Sequence, residues 1–371
     1  MKKAQKKIQI VLYRTSSIGD GVLATACLSL IRTQLPEAEI LWLGRSPLTD
    51  LLKGCFPQMR ILEVPRQWDW QAAWNMSAEL KNADIIIDLQ KNLRSRMITQ
   101  YLRWVHSTKV STIDKKGQHR LRIIRSAFKR GRKVSAPSTI QANPNPQFKL
   151  MLQAAAAGLS HFHDLRTPKQ ELEDFKPKLE IPELENLEIW EKELGTGIWL
   201  CVAPGAAHRT KRAPTTLWVD ILSKIAASDQ SVKLVFLGNK EDRSMALEIS
   251  NQIDWKGSLL NLCGQLSLYQ TARALARCRM TLSNDSALGH ISEAVGTPVV
   301  MIFGPTVESF GFAPWRPQSI AISSLLGCRP CSKHGKTPCR YGDQKCFSGV
   351  NANQISTYVL DKLFKSSTIL P

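Results

Sequence analysis

The chain has 371 residues, a hydrophobic fraction of 43% and a net charge of +19. That length exceeds one ordinary core and points to two domains of about 150–200 residues each. No apolar run reaches the ~18–20 residues of a membrane span, and the charge excess favours polyanions: nucleic acid, an anionic membrane face or a phosphorylated substrate.

The opening MKKAQKKIQIVLYRTSS is basic and then apolar. Its apolar part is too short for a signal peptide and no A-x-A site follows, so it reads as a basic tail entering the first buried strand of a cytoplasmic protein. IQIVLY (8–13) is that strand, and a helical pattern runs from Asp20 to Gln34. ILWLG (40–44), RILEVP (60–65) and IIIDL (85–89) are further short apolar runs of the kind that form buried parallel strands. VSAPSTIQANPNPQ, Val134 to Gln147, is loop chemistry, and FKLMLQAAAAG closes this half as a helix. The charged, proline-containing stretch from Arg166 to Glu185 reads as the connection between domains.

The alternation then restarts with IWLCVAPG (198–205), a helix around TTLWVDILSKIAAS (215–228), VKLVFLG (232–238), LLNLCG (259–264), a helix over SLYQTARALARC, MTLSND, the ISEAVG helix and TPVVMIFGPT. Two sets of strand–helix repeats imply two doubly wound α/β domains facing each other. The expected divisions are residues 1–165, a connecting segment 166–197, a second domain 198–350 and a C-terminal helix 351–371 packing back on the body.

Ligands of open α/β sheets bind beyond the carboxyl ends of the strands. MTL ends at Asn284-Asp285-Ser286, and VVMIF ends at Gly304-Pro305-Thr306. Ser286 or Asp285 can cap the following helix, whose first amides suit an anion, and His290 lies one turn further in. Singly these are a cap, a turn and a core histidine; together, at matching strand ends, they read as a phosphate site. CVAPGAAHRTKRAP (201–214) ends another strand in small residues that let a ligand approach the backbone. Lys211 and Arg212 follow, and a lysine there can neutralise charge on a leaving phosphate. Glu241 stands where a nucleotide fold places a ribose-binding acid, or is simply an acid in a helix's first turn.

In the first half, YRTSSIGDGVLATACL puts Ser16, Ser17, Gly19 and Asp20 directly after the first strand. This is not G-x-G-x-x-G, so a dinucleotide fingerprint is unsupported. Asp20 is either a helix cap or a general base. The basic segment Lys115 to Lys133 is a solvated helix or, with Leu121, Ile123, Ile124 and Phe128 on one side, a membrane- or acceptor-facing one. Cys27, Cys55, Cys201, Cys263 and Cys278 lie in apolar runs and read as small core residues. Cys328, Cys331, Cys339 and Cys346, spaced C-x2-C-x7-C-x6-C around His334, are reduced packing cysteines or a structural zinc site.

RTSSIGDGVLAT, IIIDLQKNLRSR, VAPGAAHRTKRAP, SNDSALGHISEAVGTPVVMIFGPT and CRPCSKHGKTPCRYGDQKC resemble motifs of glycosyltransferase family 9, the heptosyltransferases of lipopolysaccharide core synthesis. The likeness runs from residue 14 to 346. It implies a GT-B fold, two Rossmann-like domains with the site in the cleft between them, and inverting transfer from a nucleoside-diphosphate sugar, ADP-heptose, to a lipid-linked saccharide at the inner face of the inner membrane. By that resemblance Asp20 is the catalytic base. Ser17, Gly19, Thr210, Lys211, Glu241, Asp285, Ser286, His290, Gly304 and Thr306 belong to the donor side, and Asp88, Gln90, Asn92 and Arg94 to the acceptor side. No catalytic cofactor or divalent metal is implied. Two positions depart from the family: Ala213 where tryptophan is frequent, and Gly21 where an aliphatic residue is usual. Two other classes are a non-catalytic sugar-nucleotide binder and a basic nucleic-acid-binding α/β protein, though no common nucleic-acid-reading motif appears.

Overall fold

The computed structural model describes residues 7–65, 67, 70–115, 117–131, 139–141, 146–162, 171–183 and 186–365. Parts of five expectations lie outside these residues: the basic N-terminal tail, residues 116, 132 and 133 of the basic segment, most of the Ser/Pro/Asn loop, residues 166–170 and 184–185 of the connection, and residues 366–371 of the C-terminal helix. In chain order the elements are β1 (Gln9–Tyr13), α1 (Ile18–Ala24), α2 (Ala26–Gln34), β2 (Glu39–Gly44), α3 (Leu48–Cys55), β3 (Arg60–Glu63), α4 (Trp70–Leu80), β4 (Ile85–Asp88), α5 (Leu93–His106), β5 (Lys109–Thr112), α6 (Gly117–Arg130), β6 (Thr139–Gln141) and α7 (Gln147–Leu159). There follow α8 (Ile189–Leu194), β7 (Trp199–Ala203), α9 (Thr215–Ser228), β8 (Lys233–Phe236), α10 (Arg243–Ser250), β9 (Leu259–Asn261), α11 (Leu268–Ala276), β10 (Met280–Asn284), α12 (Ala287–Val295), β11 (Val299–Phe303), β12 (Ile320–Ser323) and α13 (Ala352–Lys365).

Packing divides the chain into two units: residues 1–115 with 147–180, and residues 116–146 with 181–371. The division differs from the expected block 1–165, and the reason is local. β6 pairs antiparallel with β12, Ile140 opposite Ile322. In α6, Arg120 is buried, donates to the Phe310 carbonyl at 2.8 Å, and lies over the Phe310 and Phe312 rings. A chain segment that leaves β5 of the first unit is therefore built into the second before α7 returns. The basic segment is a helix, as expected, but its Arg120 is a packed anchor.

The first unit's sheet has the order β3-β2-β1-β4-β5 and is parallel throughout. β1 and β4 are buried along their whole length, which is why they read as unbroken apolar runs. The expected Asp20–Gln34 helix is two helices meeting at Thr25, whose hydroxyl donates to the Val22 carbonyl at 2.7 Å and accepts from the Lys178 amide. The second unit's sheet has the order β6-β12-β11-β10-β7-β8-β9, parallel except for β6. α13 lies on α9, with Ile355, Val359 and Leu363 in the same core cluster as Trp218 and Ile221.

Strand order fixes where ligands can enter. In the first sheet the winding reverses between β1 and β4, and in the second between β7 and β10. At such a point the loops leaving the two strands part in opposite directions and open a crevice at their carboxyl ends. Arg14–Ser17 and Leu89–Lys91 flank the first crevice; Pro204–Ala206 and Asp285–Ser286 flank the second.

Candidate active site

In the first unit the loop after β1 is held by the loop after β4. The Gln90 side chain accepts from the Thr15 and Ser16 amides at 3.1 and 3.3 Å and donates to the Ser16 hydroxyl at 3.1 Å. Asp88, buried, accepts from the Gln90 and Lys91 amides, both at 2.8 Å, and from the Ser95 hydroxyl at 2.7 Å. Asn92 caps α5 through the Ser95 amide at 2.9 Å. Arg94 reaches the Pro65 carbonyl at 3.4 Å. Of the three residues expected on the acceptor side, Gln90 holds the loop that leads to Asp20, Asp88 holds the loop after β4 and Asn92 caps α5.

Ser17 and Asp20 form a capping box at the start of α1, Asp20 taking the Ser17 hydroxyl at 3.0 Å. Gly19 is buried in the first turn. The same Asp20 oxygen, Oδ2, pairs with Arg14 at 2.5 Å, and the Arg14 guanidinium also donates to the Leu89 carbonyl. Among the described residues, Asp20 Oδ1 takes no hydrogen bond. Burial opposes ionisation of Asp20, but the Arg14 cation and the Ser17 hydrogen bonds outweigh it and hold the carboxyl below its ordinary value. The result is an ionised carboxylate with one oxygen clamped and the other open. Gly21 follows because a Cβ there would stand 2.3 Å from Leu48 Cδ2, in the packing of α1 on the start of α3.

In the second unit Asn284 spans the crevice. Its amide donates to the Pro204 carbonyl at 2.6 Å and accepts from the Ala213 amide at 3.1 Å, tying the end of β10 to the end of β7 and the start of α9. Asp285, buried, pairs with Lys211 at 2.5 Å and accepts from the Thr306 hydroxyl at 2.6 Å. One carboxylate therefore gathers residues from three strand ends. Ser286 occupies the N-cap of α12, yet its hydroxyl faces Ser283 Oγ at 3.0 Å and makes no cap bond. Neither Ser286 nor Asp285 caps the helix through its side chain, contrary to expectation, so the first amides of α12 keep the positive end of the helix available to an anion. His290 is buried against Trp315, the rings stacked 6.1 Å apart, with Phe312 at 6.2 Å.

Glu241 lies exposed just beyond β8. Its neighbour Asp242 is buried and packed so closely on the loop after β7 that a Cβ on Gly205 would meet Asp242 Oδ2 at 2.1 Å. Arg212 donates to the Ala206 carbonyl at 3.0 Å and faces Asp242 at 3.6 Å. His208 is held below its ordinary value by burial and by the positive charges of Lys211 and Lys336.

The cysteine-bearing segment has a packing role around Arg329, which is buried and donates to the carbonyls of Gly304, Ser324 and Thr306. Gly304 makes room for Phe347, since a Cβ there would lie 2.3 Å from its ring. Thr210 donates to the Gly335 carbonyl, and a Cβ on Gly335 would lie 2.6 Å from Lys211 Cγ. The segment thus braces both the end of β11 and the Lys211 loop. Burial pushes the Cys346 thiol up to about 12. Among the described residues no three His, Cys, Asp or Glu side chains form a group able to hold a metal ion, Cys328, Cys331, Cys339 and Cys346 included.

Arg14, Asp242, Trp315 and Arg329 are site residues to which the sequence assigns no role, and Asn284 reads there only as part of a polar strand end. Arg14 and Asn284 adjoin the chosen residues in the motifs themselves, and the available signals were a charge just past the end of β1 and an amide at the last position of β10. Trp315 carried none, because only tertiary packing brings it to His290.

Two Rossmann-like units, each with a polar loop cluster at its switch point, make up an architecture shared with solved glycosyltransferases. The family 9 glycosyl transferase of Veillonella parvula matches with a TM-score of 0.68 at 17% identity, covering 98% of this chain and 99% of that one. The E. coli ADP-heptose lps heptosyltransferase II matches with a TM-score of 0.67 at 16% identity, covering 97% and 100%. The fold is GT-B. The profile of glycosyltransferase family 9 (heptosyltransferase) matches residues 74–341, and the chain belongs to that family of sugar-transferring enzymes. Lipooligosaccharide heptosyltransferase 2 of Campylobacter jejuni is 23% identical over 364 residues, 97% of this chain and 100% of that protein.

Proposed function

We propose that this glycosyltransferase moves heptose from ADP-heptose to a lipid-linked lipopolysaccharide-core acceptor at the cytoplasmic face of the inner membrane, with inversion at the anomeric carbon. The names of two relatives, the ADP-heptose enzyme of E. coli and the lipooligosaccharide enzyme of C. jejuni, support this choice of donor and acceptor. Asp20 Oδ1 takes the proton of the acceptor hydroxyl as that oxygen bonds to the anomeric carbon. The bond from that carbon to the diphosphate breaks on the opposite face, and its electron pair leaves with ADP. Lys211, held by Asp285, and the amides at the start of α12 stabilise the departing charge, so the scheme requires no divalent ion. Ser17, Gly19, Thr210, Ser286, His290, Gly304 and Thr306 shape the donor side, Glu241 binds the ribose, and Arg94 faces the acceptor.

The observation that carries this reading is the clamped, ionised Asp20 carboxylate with one open oxygen at the switch point of its sheet. Asp20→Asn keeps the side chain's shape and removes the base. With ADP-heptose and heptose-deficient lipooligosaccharide, its kcat should fall by about 10²–10⁴-fold, and the wild-type product should show the inverted anomer by NMR. A variant turning over near the wild-type rate, or a retained anomer, would overturn the assignment.

A further inference from the structure

α5 has one broad apolar side, and only part of it is covered. Ile98 and Leu102 are buried, in the core cluster that contains Val11 and Ile86. Leu93, Met97, Tyr101, Trp104 and Val105 are exposed, Leu93 by 77% and Trp104 by 85%. At ~100° per residue the five fall within an arc of about 120°. A soluble helix normally gives that arc to polar side chains.

The charges beside the arc all have one sign. Leu93 to His106 contains Arg94, Arg96 and Arg103 and no Asp or Glu; Arg94 lies within the arc, between Tyr101 and Val105, and Arg96 and Arg103 are exposed beyond its Leu93 edge. An apolar arc that includes Trp and Tyr and is edged by arginines matches the boundary between lipid headgroups and acyl chains. Anionic headgroups complement it, whereas a second copy of this helix would bring like charges together. At 14 residues α5 spans only about 21 Å, short of the ~30 Å hydrocarbon layer, and no helix among the described residues is long and apolar enough to cross a membrane. We propose that α5 is the membrane-docking element of the first unit, lying in the surface of an anionic bilayer with Leu93, Met97 and Trp104 inserted. This deepens, and rests on, the reading that the acceptor is lipid-linked.

The test is co-sedimentation of the full chain with vesicles of phosphatidylethanolamine and phosphatidylglycerol, and with phosphatidylcholine vesicles, at two salt concentrations. The wild type should bind the anionic vesicles and largely ignore phosphatidylcholine. Met97→Ser with Trp104→Ser should weaken that binding at least about tenfold, and Arg96→Gln with Arg103→Gln should weaken it and flatten its salt dependence. Transfer to a delipidated, soluble acceptor should be unchanged in both. No binding to anionic vesicles, or equal binding by wild type and the Met97/Trp104 variant, overturns the proposal, as does a lipid-free dimer that this variant converts to monomer. Sugar transfer without vesicle binding would sink the docking surface and leave the enzymatic reading standing; vesicle binding that follows the variants as stated, without transfer, supports the surface and sinks that reading.

Discussion

Arg14 divides its guanidinium between the Leu89 carbonyl and Asp20, so one buried cation fixes the end of β4 and sets the acidity of the carboxylate. Two effects compete at Asp20: burial raises its pKa, the Arg14 cation lowers it, and the cation prevails with help from Ser17. Arg14→Met keeps the bulk and removes the charge. The carboxylate then loses the opposite charge that favours its ionised form, so its pKa rises, and the acid limb of the pH profile of kcat/KM should move upward. The Leu89 carbonyl would also lose its donor, costing roughly 1–3 kcal/mol of stability. Kinetics between pH 4 and 9 check this; an unmoved acid limb would mean that Arg14 does not tune the base. The motif RTSSIGD showed that something polar follows β1, but not that its arginine turns back to meet its aspartate. That fact depends on the parallel pairing of Tyr13 with Asp88, which is long-range.

At the scale of elements, α12 connects the site to its surroundings through Glu293 in its last turn. Glu293 is fully buried and accepts the backbone amides of Trp315 at 2.9 Å and Arg316 at 2.8 Å, fixing the loop whose Trp315 ring stacks on His290. Burial raises its carboxyl to about 7, against the opposing pull of those amides. From about pH 4.5 to 7 the folded state therefore holds a proton that the unfolded state has released. Stability should be greatest below that window and fall as pH rises through it, by on the order of 3 kcal/mol. Glu293→Gln keeps an oxygen for both amides and abolishes the titration, so its melting temperature should be flat from pH 5 to 8 where the wild type declines. Parallel declines in both proteins would contradict this. The buried strands β1, β4, β7, β10 and β11 were legible as short apolar runs, because parallel strands covered on both faces need no polar alternation. β6 lies within a stretch that reads as loop, and α6 packs with the second unit, because nothing local records that β12 supplies a partner for Thr139–Gln141 or that Arg120 lies over the Phe310 and Phe312 rings.

For the whole molecule, two sheets wound from the same plan leave polar loops at their switch points, and each loop is tied by side chains from its own unit. The first unit offers a carboxylate clamped by Arg14; the second offers Lys211, Asp285, Thr306 and the start of α12. The strand ends NDS and GPT were legible as polar stops, and Asn284 shows why they cluster: one amide bridges β7, β10 and α9. The proposed reading divides the labour, and that division is the central claim: we propose that nucleoside diphosphate binding belongs to the second unit and proton removal to the first. Calorimetric titration of ADP into wild type, Lys211→Ala and Asp20→Asn tests it most directly. ADP should bind wild type and Asp20→Asn alike, and Lys211→Ala at least about tenfold more weakly, as loss of a charge-assisted phosphate contact requires. Equal binding by all three proteins, or a loss in Asp20→Asn as large as that in Lys211→Ala, would contradict it.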